Sequence, residues 1–116
     1  MIKVSELAAE VRRIAEAMPE ENYYDRSTRM IGHGGACRYQ INGDPACIVG
    51  VALHNLGVPS PVLARFDNKS ETMIWHLAYS ESDIFEIDNQ KELLFLDVAQ
   101  NLQDSGDDWG EILSVT

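Results

Sequence analysis

The chain is 116 residues long with a hydrophobic fraction of 45%, values that suit one globular domain and exclude an intrinsically disordered chain. Its formal net charge of −10 is lopsided: residues 1–58 carry six Lys/Arg against seven Asp/Glu, and residues 59–116 carry three against twelve. The acidic half disfavours direct nucleic-acid binding through phosphates, and no run approaches the ~18 apolar residues of a membrane span.

Val4, Leu7, Val11, Ile14 and Met18 recur at spacings of three and four, which predicts a helix with Ser5 as N-cap and Pro19 as its end. The opening Met1-Ile2-Lys3-Val4-Ser5-Glu6 enters this pattern without a charged-then-apolar leader, so a cytoplasmic protein is expected. Residues 19–35 are polar and end in Gly32-His33-Gly34-Gly35; they read as a long loop with a short turn around Tyr23-Tyr24. Cys37-Arg38-Tyr39-Gln40-Ile41 then alternates into Asn42-Gly43, the strongest short hairpin signal. In a two-residue turn, Ile41 would face Asp44 and Arg38 would face Cys47.

Asp44-Pro45 also reads as a helix start, and the apolar run 46–56 stops at Gly57. Length and both end signals select a helix, apolar nearly all round and therefore central, with a short strand or paired ribbon before it. Ser60-Pro61 repeats the cap-plus-proline signature ahead of Val62, Leu63 and Phe66. Residues 73–79 read as a helix and 80–89 as an acidic connector. Asn89 with Glu92 forms a capping-box start for a helix through Leu93, Leu96, Ala99 and Leu102, ended by Gly106. Asp108 and Glu111 open a last short helix through Trp109, Ile112 and Leu113. The expected fold is a single mainly α domain over 1–116: a compact bundle of about five helices, with a short β-hairpin accommodated near residues 36–48.

Four constellations invite chemistry. Cys37, Cys47, His33 and either His54 or His76 supply zinc-type ligands, but no close ligand pair exists, and burial of Cys47 on an apolar helix outweighs a metal. No cofactor is expected. In the hairpin register Cys37 and Cys47 point to opposite faces, which disfavours a disulfide. A nucleophilic role for Cys47 would draw on the amide dipoles at a helix start, yet its apolar neighbours would raise the thiol pKa. The glycines around His33 lack a phosphate-loop pattern and read first as a turn; with Arg29, Arg38 and Cys47 they would make the loop 29–38 an anion or ligand site.

The fourth constellation is acidic. Glu86, Asp88, Asp104 and Asp108, with Trp109 as an aromatic anchor beside them, form a candidate interaction surface for a partner with a basic surface. No calcium-loop spacing is present. Core packing is the default reading of Trp109. The same carboxylates also admit a DNA-mimic inhibitor.

Residues 37–58, with Cys37, Tyr39, Gly43-Asp44-Pro45-Ala46-Cys47-Ile48-Val49-Gly50 and Leu53-His54-Asn55-Leu56-Gly57-Val58, and residues 99–111, with Gln100, Gln103-Asp104, Gly106 and Trp109-Gly110, form two motifs. Together they resemble small uncharacterised helical proteins of actinobacteria and actinobacterial phages. The resemblance departs at Ile112, where a small residue is the usual choice. That group has no established activity, so no functional residue carries over. What the resemblance implies is a phage accessory protein that acts on a host factor. Two readings follow: a small acidic, non-enzymatic protein-interaction module, with a homo-oligomer allowed, or a ligand-binding protein or thiol enzyme built around loop 29–38 and Cys47.

Overall fold

A computed structural model describes residues 1–31 and 38–115. Val4, Leu7, Ala8, Val11, Ile14 and Ala15 form the buried stripe of α1 (Val4–Ala17), as their spacing predicts. The helix starts before Ser5 can cap it: Lys3 is the N-cap, and its N–H donates to Glu6 Oε1 at 3.2 Å. The cause lies far along the chain. Strand β1 (Ile2–Lys3) pairs in parallel with β4 (Phe85–Glu86), inside the segment expected to be a connector, and this brings Asp88 to the first turn of α1. Ser5 donates both its N–H and its hydroxyl to the Asp88 carboxylate, an anion where the helix N-terminus favours one.

The expected loop after Pro19 contains a nine-residue helix, α2 (Tyr23–Ile31). Asn22 caps it by accepting the Asp25 N–H at 2.8 Å, and Tyr23, Ser27 and Met30 turn inward at spacings of four and three. Strands β2 (Gln40–Ile41) and β3 (Asp44–Pro45) form the antiparallel hairpin, with Ile41 opposite Asp44 and Gln40 opposite Pro45. Asn42 and Gly43 hold φ of 53° and 87°, the left-handed pair that a type I′ turn requires. Two further bonds continue the ladder: Ala46 N–H to Tyr39 O at 3.0 Å and Cys47 N–H to Arg38 O at 3.1 Å. Asp44 and Pro45 are thereby consumed by the strand, and α3 (Ile48–Asn55) begins with Cys47, not Asp44, as N-cap.

Four more helices complete the described chain. These are α4 (Ser60–Asp67), α5 (Ile74–Ser80), α6 (Gln90–Asp104) and a closing 3₁₀ helix (Trp109–Val115). Asn89 caps α6 through the Glu92 N–H at 3.2 Å, as expected. α4 begins at Ser60, the expected cap, and Pro59 is its N-cap instead. The fold is thus mainly helical with one small hairpin, and α2 is the helical segment that the sequence reading left as loop. α1 lies at the centre, packed against α3, α6 and the 3₁₀ helix. The buried Glu81 carboxylate joins α4 to the end of α5 through Lys69 at 2.9 Å and Arg65 at 3.4 Å. Among the described residues no helix is long and apolar enough to cross a membrane.

Candidate functional site

The two sequence motifs meet. Gln103 Oε1 accepts the Ile48 N–H at 2.8 Å, and Cys47 Sγ accepts the Gly50 N–H at 3.2 Å, so both partners satisfy the opening amides of α3. One turn earlier on α6, Gln100 Oε1 takes the Ile74 N–H at 2.7 Å, and its amide donates to the Tyr39 hydroxyl at 2.9 Å. Tyr39 in turn donates to the Thr72 carbonyl. Burial holds the Tyr39 phenol well above its ordinary pKa, so it serves here as a neutral hydrogen-bonding group. Arg38, Cys47, Gln100 and Asp104 line a cavity of only about 20 Å³, which is close to the volume of one water molecule.

Of the residues assigned to a ligand site, this cavity brings Arg38 and Cys47 together. Arg29 is held by Glu21 at 2.6 Å, which keeps its guanidinium firmly charged, and it is not among the residues lining the cavity. His33 and Cys37 lie outside the described residues. His54 is exposed near the end of α3, whereas His76 sits 3.2 Å from the Glu71 carboxylate and stacks on Trp75. Among the described residues no group of His, Cys, Asp and Glu is placed to hold a metal.

The acidic surface does not assemble as the sequence arranged it. Trp109 is fully buried, with Arg26 over its ring at 5.6 Å. Its backbone N–H donates to Glu21 O at 2.6 Å, and the backbone N–H of Gly110 donates to Pro19 O at 2.9 Å. It is a core residue that ties the chain end to the α1–α2 turn, so it offers no anchor. Glu86 and Asp88 precede α6, while Asp104 and Asp108 lie at and beyond its end. A helix of this length spans ~22 Å, which separates the two pairs. Asp88 caps α1, and Asp108 accepts from Asn22 at 3.2 Å.

A different surface emerges on α5 and α6. Tyr79 bonds Gln90 while Ile74 bonds Gln100, so the two helices run antiparallel. Between them lies a groove of about 240 Å³ lined by Trp75, Tyr79, Gln90, Leu93, Leu94 and Asp97. Trp75, Tyr79 and Leu94 are 41%, 56% and 63% exposed, although each is large and apolar or aromatic. Leu94 also borders an adjoining groove of about 310 Å³ with Phe95, Val98 and the exposed Val115. Half of a pattern for this face was present in the sequence: Trp75 and Tyr79 are four apart, and Leu94 lies off the inward line of Leu93, Leu96, Gln100 and Gln103.

Compared with known protein families, curated proteins and solved structures, the chain matches none.

Proposed function

We propose that the protein is a non-enzymatic interaction module that docks a protein partner on the α5–α6 face. The observation that carries this reading is the grouping of Trp75, Tyr79 and Leu94, large side chains left exposed around one groove. Isolated exposed apolar residues are ordinary, but a contiguous set around a concavity is the usual mark of a recognition surface. Rigid aromatic side chains lose little entropy on docking, and tyrosine adds a hydrogen-bonding tip. The resemblance of residues 37–58 and 99–111 supports a setting for this activity: a phage accessory protein in the host cytoplasm with a host factor as target.

The experiment is affinity capture from host-type lysate at low and high salt, comparing the natural protein with the double variant Trp75→Ala/Leu94→Ser. One protein retained by the former and lost with the latter is the expected result. Both substitutions fall on exposed positions, and the variant's melting temperature should stay close to that of the natural protein. Equal capture by both proteins would overturn the reading.

A further inference from the structure

We infer that the occupant of the α5–α6 groove is an amphipathic helix with an apolar ridge flanked by Lys or Arg, an inference that rests on the interaction reading above. Four of the six lining residues are Gln90, Leu93, Leu94 and Asp97 of α6, at spacings i, i+3, i+4 and i+7, with Trp75 and Tyr79 of antiparallel α5 opposite. A valley between two antiparallel helices, ridged at these intervals, accepts the side-chain ridge of a third helix.

Charge selects the partner's flank. Among the described residues lining the groove, Asp97 is the only carboxylate and none is a Lys or Arg. Asp104, seven residues later on α6, belongs to the separate cavity beside Arg38, so Asp97 is the carboxylate that an occupant of the groove meets. At the other wall, the Glu71 carboxylate approaches His76, whose ring stacks on Trp75 at 3.8 Å. The half of the chain that builds the groove carries three Lys/Arg against twelve Asp/Glu. A cationic flank is attracted to this rim and steered toward it, whereas a second copy of the chain would bring another net −10 and oppose its own docking.

The test is tryptophan fluorescence at low salt, because Trp75 is partly exposed while Trp109 is fully buried and gives a constant background. The probes are synthetic amphipathic helices sharing one leucine ridge, with Lys, Gln or Glu on the flanks, and a Lys peptide with serine in place of leucine. The Leu/Lys peptide should shift Trp75 emission to the blue and bind at least ~10-fold more tightly than the Leu/Gln peptide, with the Leu/Glu and Ser/Lys peptides weaker still. Leu94→Ser should weaken the Leu/Lys peptide by ~10-fold, and Asp97→Asn by several-fold, with the fold retained in both. Equal binding of Leu/Gln and Leu/Lys peptides, lost with Leu94→Ser, would overturn the basic partner while leaving the docking face intact. Leu/Lys binding indifferent to Leu94→Ser, or no shift with any peptide, would overturn the helix inference; the capture experiment then decides the docking face separately.

Discussion

Gln103 and Ile48, separated by 55 residues in sequence, meet through a single buried hydrogen bond of 2.8 Å from the Ile48 N–H to the Gln103 side-chain oxygen. The bond gives the first helical amide of α3 an acceptor that its own helix lacks. It also joins the two motifs of the sequence, one ending in α3 and the other beginning in α6. Replacing Gln103 with Met keeps the volume and removes the acceptor, which strands a buried amide. We expect a loss of ~1–3 kcal/mol by urea denaturation. A change within ~0.5 kcal/mol would mean that the amide finds another partner.

Gly50 tests how closely α3 sits on the hairpin. In an open helix, alanine in place of glycine is stabilising by up to ~1 kcal/mol. Here an added Cβ would lie 2.2 Å from the Tyr39 carbonyl oxygen, a backbone atom that cannot swing away. Gly50→Ala should therefore reverse the usual sign and cost ~1–3 kcal/mol, read as a lower urea midpoint. A midpoint raised by the substitution would show that the helix and the hairpin are free to separate.

Asp88 gives the fold a pH dependence. Its carboxyl is held below the usual carboxylate range, first by the Ser5 hydroxyl and then by the Ser5 backbone N–H. A group with a depressed folded pKa contributes its stability fully above its unfolded pKa of ~3.9 and loses it as pH falls through the folded value. Asp88→Asn should melt at a lower temperature than the natural protein at neutral pH, and the gap should close as the solution is acidified below ~pH 4. A gap that is constant across this range would remove the carboxylate–Ser5 contact as its cause.

Cys47 is 3% exposed and accepts a backbone N–H through its sulfur. Alkylation of Cys47 in the native protein, followed by mass spectrometry that separates it from Cys37, should be slow and accelerate on denaturation. Rapid native labelling below ~pH 7 would instead mark Cys47 as a reactive thiol at the Arg38–Cys47 cavity.

Where one segment carried its own signal, the sequence was sufficient. α1 declared itself by spacing, α6 by the Asn89 cap and its apolar line, and the hairpin by Asn42-Gly43 down to the register of Ile41 with Asp44. Asp44-Pro45 carried two valid local signals, and the turn's left-handed pair decided between them. α2 was hidden because its inward face contains Ser27, a residue that gives no hydrophobic periodicity. The β1–β4 pairing was hidden because two-residue strands have no period at all. The candidate site is mostly a tertiary product. Leu94 joins Trp75 and Tyr79 only after α6 folds back along α5, and the roles of Gln100 and Gln103 exist only once they reach Ile74 and Ile48. The acidic residues, conspicuous in the sequence, divide between the two ends of α6 and serve in part as caps.

Oxidative footprinting of the protein alone and in the captured complex identifies the face that meets a partner. Met1, Tyr24, Trp75 and Tyr79 are all exposed in the free protein and all react readily with hydroxyl radicals. Trp75 and Tyr79 should lose labelling in the complex while Met1 and Tyr24 keep it. Undiminished labelling of Trp75 and Tyr79, with protection elsewhere, would contradict it and place the partner on another face.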